Sequence, residues 1–190
     1  MVVVGLCLPG AAASCTNFTV SSAARLNHTW LGRDYNATSG AGLRGGIALG
    51  DLNGDGVEEM CFFGDSSVYV AFMDDERQVQ HATRLSGSSG GLGAYYPGIG
   101  PSDAFGASLA ALGDQNGDGV GDLLVAAIGD GDGGSNCGAV YVIFLEPNGF
   151  AKGAQKISAL EGGLSSVYTL KAGDRFGHQV RCGLTGPSSI

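Results

Sequence analysis

The chain has 190 residues, 35 of them glycine, and a formal net charge of −8. Binding to phosphate backbones needs clustered Lys and Arg, so this acidic balance argues against a nucleic-acid partner. The apolar fraction of 44% is too high for a disordered chain. No apolar run approaches the roughly 18 residues of a membrane-spanning helix, so no membrane span is predicted.

The first 13 residues, MVVVGLCLPGAAA, are apolar and end in small residues. This pattern predicts a signal peptide, with Ala11 and Ala13 forming a small-residue cleavage site. The charged start of a typical signal is missing, so an N-terminal strand or the truncated start of a longer gene product remains the alternative.

Residues 14–42 carry three N-x-[ST] sequons, at Asn17, Asn27 and Asn36. Three acceptors so close together, directly after a candidate signal, predict a glycosylated segment and an extracellular or cell-surface location.

Five cysteines are widely spaced and form no CxxC pair, which argues against a zinc site. If Cys7 is removed with the signal, Cys15, Cys61, Cys137 and Cys182 remain. They allow three disulfide connectivities, and buried free thiols are the alternative.

The rest of the chain contains a repeat. The segment GDLNGDGVEE at Gly50 recurs as GDQNGDGVGD at Gly113, and VYVAF at Val68 recurs as VYVIF at Val140. The matches are collinear and define a first repeat (43–104), a second repeat (105–173) and a partial third repeat (174–190).

Each repeat is predicted to form four short strands, because runs rich in β-branched and aromatic residues alternate with Gly, Asp, Ser and Asn. In the second repeat the predicted strands are Phe105–Leu112, Asp122–Ile128, Gly138–Leu145 and Gln155–Ala159. Four-stranded units at this period indicate an all-β fold built from propeller blades.

Each repeat contains an acidic loop with oxygen-bearing side chains at alternate positions. Numbered from the first Asp, positions 1, 3, 5, 7 and 9 are Asp51, Asn53, Asp55, Val57 and Glu59 in the first repeat, and Asp114, Asn116, Asp118, Val120 and Asp122 in the second. The residue at position 7 offers its backbone carbonyl, and position 6 is glycine in both loops. Six or seven oxygen ligands suit calcium rather than magnesium, so two structural calcium ions are predicted. They would change the net charge from −8 to −4.

Three other interpretations of the loops fit the sequence less well. An EF-hand or a dockerin-type loop needs an acid at position 12 and a following helix, whereas position 12 is Phe62 or Val125 here. A hairpin turn without metal needs only two turn-forming residues and gains nothing from acids at positions 1, 5 and 9.

The segment DAFGASLAALGDQNGDGVGDLLVAAIGDGDGGSNCGAVYVIFL resembles the FG-GAP repeat of the integrin α-subunit β-propeller and of secreted bacterial and algal proteins. Phe105 and Gly106 match the Phe-Gly pair, and AAIG at Ala126 stands in place of Gly-Ala-Pro. The resemblance covers Leu43 to Val180. The first repeat lacks the Phe-Gly pair, and the third, after Phe176, has no acidic loop.

This resemblance implies an extracellular, calcium-binding and non-catalytic module that mediates protein or cell-surface interaction, as in adhesion. The family's propeller resembles a ring of seven blades, so the two blades and partial third are expected to be a piece of a longer chain, or to assemble with other copies. An accessory propeller of a secreted hydrolase, such as a phospholipase, and a carbohydrate-binding lectin remain alternatives.

Overall fold

The computed structural model describes residues 43–182, which form an all-β structure of two four-stranded sheets. The first sheet contains β1 (Arg44–Gly50), β2 (Glu59–Gly64), β3 (Ser67–Met73) and β4 (Val79–Leu85). The second contains β5 (Phe105–Gly113), β6 (Asp122–Ala127), β7 (Ala139–Leu145) and β8 (Ala151–Ile157). The predicted all-β fold class is therefore confirmed. No helix within residues 43–182 is long and apolar enough to cross a membrane.

Both sheets are antiparallel, and every strand pairs with the next one along the chain. In the first sheet, Asp65 and Ser66 make the tight turn between β2 and β3, both with positive φ. The corresponding connection in the second sheet is longer and spans residues 128–138. Because all the strand pairings are local, each sheet is assembled from its own repeat.

Three of the four strands predicted in the second repeat are confirmed to within one residue at each end. The fourth prediction was wrong in its bounds, because β8 begins at Ala151, four residues before the predicted Gln155, and ends at Ile157. The segment from Ala151 to Ala154 contains a glycine and a lysine and lacks the β-branched residues that mark a strand. Its pairing with β7 supplies the order that local propensity does not.

One face of the first sheet packs against one face of the second, and together they make the main core. Alternate residues of each strand point to the same face, so the odd-numbered positions of β6 and β7 face inward. The first sheet contributes Cys61, Val68, Val70, Phe72 and Leu85, and the second contributes Leu123, Val125, Tyr141, Ile143 and Leu145. Burial of these side chains from water is the main force holding the two sheets together.

The segment between the sheets, residues 86–104, is held against both. Leu92 lies in a short 3-10 turn (Leu92–Ala94) and is fully buried. Gly106, near the start of β5, has φ +91°, and a Cβ there would lie 2.9 Å from the Cβ of Phe63. This close approach requires glycine, and it fixes the start of the second sheet against the first.

Cys61 and Cys137 are buried and have free thiols, so for these two residues the free-thiol alternative holds. Burial raises the pKa of the Cys61 thiol and keeps it protonated. Cys182 is exposed. The predicted signal peptide (1–13), the sequons at Asn17, Asn27 and Asn36, and Cys15 all lie outside the described residues.

Candidate metal-binding loops

The two acidic loops occupy the same place in the two sheets. The first connects β1 to β2, and the second connects β5 to β6. Position 1 follows the end of one strand, and position 9, Glu59 or Asp122, is the first residue of the next strand. Each loop is therefore anchored at both ends by an antiparallel pair, and its geometry is set by the strands as well as by its own residues.

The carboxylate at position 1 organises the first loop by accepting three backbone hydrogen bonds. Asp51 Oδ1 accepts from the N–H groups of Gly54 (2.7 Å) and Asp55 (3.1 Å), and Oδ2 accepts from Gly56 (2.8 Å). Gly56, at position 6, has φ +89°, which a residue with a side chain adopts only with strain. The sharp turn at this glycine brings its N–H back towards position 1.

The second loop repeats this geometry almost atom for atom. Asp114 Oδ1 accepts from Gly117 (2.7 Å) and Asp118 (3.2 Å), and Oδ2 accepts from Gly119 (2.8 Å). The Gly119 N–H contributes most to lowering the pKa of the Asp114 carboxyl, outweighing the opposing effect of burial. Asp114 is therefore held as an anion, which is the form that can bind a cation.

Positions 3 and 5 also hydrogen-bond to the backbone two residues ahead. Asn53 Oδ1 accepts from Asp55 N (2.9 Å) and Asp55 Oδ1 from Val57 N (2.8 Å). The corresponding bonds in the second loop, from Asp118 N to Asn116 Oδ1 and from Val120 N to Asp118 Oδ1, measure 3.0 and 2.8 Å. Each carboxylate oxygen of Asp55 and Asp118 accepts one of these contacts at most and keeps a lone pair, so the acceptors at position 5 are not exhausted.

The valines at position 7 anchor the loops. The side chain of Val57 packs against a small cluster on the outer face of the first sheet, formed by Phe62, Ala71, Met73 and Val79. Val120 packs against the main core. Burying these side chains fixes the backbone of position 7, whose carbonyl is the predicted ligand.

The acids at position 9 are fully buried, and the two loops differ here. Glu59 Oε2 accepts from Leu52 N at 2.5 Å, whereas Glu59 Oε1 is buried without a hydrogen-bond partner. In the second loop both oxygens are bonded, Asp122 Oδ2 to Gln115 N (2.8 Å) and Oδ1 to Leu145 N (3.2 Å). Burial raises the pKa of the Glu59 carboxyl, and the nearby charges of Asp55 and Asp51 raise it further.

An unpaired carboxylate oxygen in a buried position is costly unless a donor or a cation satisfies it. Glu59 Oε1 is such an atom, and it belongs to the five positions whose donor set suits calcium. The donor types of the loops therefore fit calcium, although the spacing of their acids in this structure is wider than around a bound ion. Asp51, Asn53, Asp55, Val57 and Glu59 would hold one ion, and Asp114, Asn116, Asp118, Val120 and Asp122 the other.

The acids of each loop are not gathered as tightly as a bound ion would require. Ligands about 2.4 Å from calcium lie within about 4.8 Å of one another. Within residues 43–182, the group of acidic side chains that meets this spacing is Asp74, Asp75 and Glu76, at the exposed β3–β4 hairpin tip, and not the three acids of either loop. At position 9 the carboxylate is held by the N–H of position 2 in both loops.

The second loop has a basic neighbour that the sequence did not predict. Lys152 Nζ, on β8, forms an ion pair with Asp118 Oδ2 at position 5. In the first loop the corresponding atom, Asp55 Oδ2, accepts instead from Asn53 Nδ2 at 2.8 Å. Lys152 lies 34 residues from Asp118 and outside the strand bounds predicted from sequence, so no local signal pointed to it.

A second unpredicted group lies in the connection between β6 and β7. Lys156 Nζ is 2.8 Å from both Asp130 Oδ2 and Asp132 Oδ2, and both Lys156 and Asp130 are more than nine-tenths buried. Tyr141 and Ser158 donate to these carboxylates at 3.0 and 2.7 Å. The GDGDGG segment, residues 129–134, is therefore an acidic loop whose charge is compensated by a buried lysine.

Comparisons with known proteins place the chain in no group: no family model matches it, and no curated protein is detectably similar to it.

Proposed function

We propose that this chain is a calcium-binding, non-catalytic module of an extracellular FG-GAP-type β-propeller. Each four-stranded sheet would be one blade, and each acidic loop would hold one structural calcium ion. The module would present its surface to a protein or glycan ligand, in the manner of an adhesion domain. Ring closure with further blades, or with other copies of the chain, belongs to the same proposal.

The main support for the proposal is that the same loop geometry occurs twice, once between β1 and β2 and once between β5 and β6. In the two loops, five matching hydrogen bonds to positions 1, 3 and 5 agree to within 0.1 Å. A turn alone does not need an acid at three places, and like charges close together raise the free energy of the fold. A divalent cation would remove that cost and satisfy Glu59 Oε1.

The first loop needs such a cation most. Among residues 43–182, no ion pair joins a lysine, arginine or histidine to Asp51, Asp55 or Glu59. A single calcium ion would contribute two positive charges to this group. Extracellular modules bind calcium with a Kd of roughly 10⁻⁴–10⁻³ M, and at ten times the Kd one site stabilises the fold by about 1.4 kcal/mol.

The test is thermal unfolding of chelator-stripped protein, with calcium or magnesium added back. We expect calcium to raise the Tm more than magnesium does at equal concentration. The double variant Asp51→Asn/Asp114→Asn should lose the increase, while the variant Asp75→Asn, at the exposed hairpin tip, should keep it. An unchanged Tm of the unaltered chain in calcium would contradict the proposal.

The extracellular location rests on the three sequons at Asn17, Asn27 and Asn36. Expression in a secreting eukaryotic cell should yield a product whose apparent mass falls after deglycosylation. Replacing each Asn by Gln should reduce that mass difference step by step. A product of unmodified mass would remove this part of the proposal without affecting calcium binding.

A further inference from the structure

We propose that Asn53 and Asn116 are sites at which the chain modifies itself, by deamidation through a backbone succinimide, and that Asp51 and Asp114 restrain this reaction. The carboxylate at position 1 of each loop thereby has a second role, which is to protect the backbone of its own loop. Neither the reaction nor its restraint requires a bound cation.

The reactive sequence is Asn-Gly, which occurs three times in the chain, at Asn53, Asn116 and Asn148. Asparagine is a thermally labile residue. A following glycine makes it more reactive, because no side chain hinders the approach of the glycine nitrogen to the asparagine Cγ. In both acidic loops the pair is followed by Asp-Gly, which forms the same kind of ring. Each loop therefore contains two successive glycine nitrogens that are potential nucleophiles.

The reaction needs only water and hydroxide. The Gly54 nitrogen loses its proton to hydroxide and bonds to Asn53 Cγ, and the Cγ–Nδ2 bond breaks. Nδ2 takes a proton from water and leaves as ammonia, which restores the hydroxide. One water then opens the succinimide at either carbonyl and leaves an aspartate or an isoaspartate, with a mass gain of about 1 Da. The same steps apply to Gly117 and Asn116.

The asparagines of the two loops are accessible to this chemistry. Asn53, Gly54, Asn116 and Gly117 are all exposed, so water and hydroxide reach the reacting atoms. Asn53 Oδ1 accepts from Asp55 N at 2.9 Å, and the corresponding bond in the second loop measures 3.0 Å. Because each bond spans the intervening residue, the asparagine side chain lies beside the peptide that contains the nucleophilic nitrogen.

The carboxylate at position 1 holds both nucleophilic nitrogens of its loop. Asp51 Oδ1 accepts from Gly54 N at 2.7 Å, and Asp51 Oδ2 accepts from Gly56 N at 2.8 Å. Asp114 accepts from the two equivalent glycine N–H groups of the second loop at the same distances. One side chain thus restrains the nitrogen that would attack the asparagine and the nitrogen that would attack the following aspartate.

This contact opposes succinimide formation in two ways. The hydrogen bond stabilises the N–H group whose proton must be lost, and a hydrogen bond to a charged acceptor is stronger than an ordinary one. The attack also builds negative charge, first on the Gly54 nitrogen and then on Asn53 Oδ1, beside the carboxylates of Asp51 and Asp55, and like charges at short range are unfavourable. Both effects have the same sign, so neutralising Asp51 should accelerate deamidation of Asn53.

Asn148 has the same reactive sequence in a different setting. Gly149 is buried between the sheets, where a Cβ would lie 3.2 Å from Phe72 Cε2. Its N–H donates to the carbonyl of Glu146 at 2.8 Å, and Thr83 Oγ1 donates to the carbonyl of Asn148 at 2.8 Å. The peptide between Asn148 and Gly149 is therefore fixed by packing and not by a carboxylate, which makes Asn148 an internal control.

Modification would damage the loop in which it occurs. In an isoaspartate the main chain runs through the former side-chain carbons, so the Gly54 and Asp55 nitrogens move relative to Asp51 Oδ1, which accepts from both. In an aspartate, one more negative charge joins the carboxylates of the loop. Protection by the position-1 carboxylate therefore preserves the geometry that the two loops share.

The experiment measures the deamidated fraction at each Asn-Gly site over time, by mass mapping with fragmentation, in chelator at neutral pH. It compares the unaltered chain with Asp51→Asn, Asp114→Asn and the control Asp75→Asn at the exposed hairpin tip. We expect Asp51→Asn to raise the rate at Asn53 by at least about tenfold, the rate equivalent of one charged hydrogen bond, with no change at Asn116 or Asn148. Asp114→Asn should raise the rate at Asn116 alone, and Asp75→Asn should change none of the three. An unchanged or lower rate at Asn53 in Asp51→Asn would overturn the inference, because the carboxylate would then be without effect or would act as a base.

A second comparison needs no variant and decides the matter if a substitution unfolds the chain, which a faster reaction at Asn148 would reveal. In urea, all three sites of the unaltered chain should be modified at similar rates. In the folded chain, Asn53 and Asn116 should each react at least about tenfold more slowly than in urea. Equal rates at these two sites in the folded and unfolded chain would also overturn the inference. Because the measurements are made in chelator, failure of calcium binding would remove the proposed function without changing this result.

Discussion

The two repeats share their strand order and the geometry of their acidic loops, but the charges around those loops differ. Their acidic loops share the same set of hydrogen bonds to positions 1, 3 and 5. The first loop contains an unpaired buried oxygen on Glu59, and the second is paired with Lys152. Loop shape therefore follows from the nine residues of the loop and the two strands that flank it, whereas charge compensation depends on residues far along the chain.

The connections after β2 and β6 also differ in the charged groups that lie around them. In the first repeat two residues suffice, and Arg84 of β4 donates to Ser67 Oγ at 3.0 Å. In the second repeat an inserted loop brings Asp130 and Asp132 to Lys156, the counterpart of Arg84. The second repeat thus buries an ion network at a place where the first has a single polar contact. The predictions below use these paired differences, from the largest expected effect to the smallest.

The largest effect is expected from Lys156→Met. Removing the lysine leaves two carboxylates, one of them buried, without their cation, and breaking a buried pair in this way costs about 3–5 kcal/mol of unfolding free energy. Arg84→Met is the matched control and should cost about 1 kcal/mol, the value of an ordinary hydrogen bond. Urea unfolding measures both. Equal losses would show that the ion network adds nothing to the second repeat.

The buried acids at position 9 should respond differently in the absence of calcium. Both oxygens of Asp122 accept from backbone N–H groups, those of Gln115 and Leu145. In Asp122→Asn an amide N–H₂ group faces one of these donors, so we expect the unfolding free energy to fall by about 2 kcal/mol. Glu59→Gln keeps the bond to Leu52 N and replaces the unpaired Oε1, so the unfolding free energy in chelator should stay constant or rise. Denaturant unfolding in chelator tests both variants, and a larger loss for Glu59→Gln would contradict the assignment of Oε1 as unsatisfied.

Acid should weaken the second repeat through Asp132. Burial raises the pKa of this carboxyl, but the hydrogen bonds from Lys156 and Ser158 outweigh burial and hold the pKa below its ordinary value of 3.8. A lowered pKa gives stability that is present above 3.8 and is lost as the pH falls through the folded-state value. Asp132→Asn should therefore unfold with a weaker dependence on pH below about 4 than the unaltered protein does. Identical acid profiles for the two proteins would refute this.

The smallest effect concerns Lys152. Its ion pair with Asp118 is partly exposed, with about a quarter to a third of each side chain accessible, so it is worth at most about 1 kcal/mol. Because a bound cation would compete with the lysine, Lys152→Met should raise the calcium affinity of the second loop up to about fivefold. The first loop serves as the internal control and should keep its affinity. A lowered affinity in the second loop would contradict competition.

The sequence predicted the parts of the structure that depend on local pattern. The repeat alignment located three of the four strands of the second sheet, because their β-branched and aromatic runs carry the signal themselves. It also predicted that Asp122 begins the strand that follows the second loop, as it does. The start of β8 was missed because Ala151, Gly153 and Ala154 are ordered by pairing with β7 rather than by their own propensity.

The charge partners could not be predicted for a related reason. Lys152 lies 34 residues from Asp118, and Lys156 lies at most 26 residues from Asp130 and Asp132. Only the folded sheet brings each lysine to its acids. The different exposure of Phe144 and Phe72 was also invisible in the sequence, because both belong to the same repeated pattern. What separates them is which sheet has a neighbour, and that is a property of the assembled fold.

Isothermal titration of calcium into chelator-stripped protein tests the central claim most directly. The account predicts two ions bound per chain, one ion for Asp51→Asn or Asp114→Asn alone, and none for the double variant. Heat changes no larger than those of dilution, with a protein shown by circular dichroism to be folded, would contradict it.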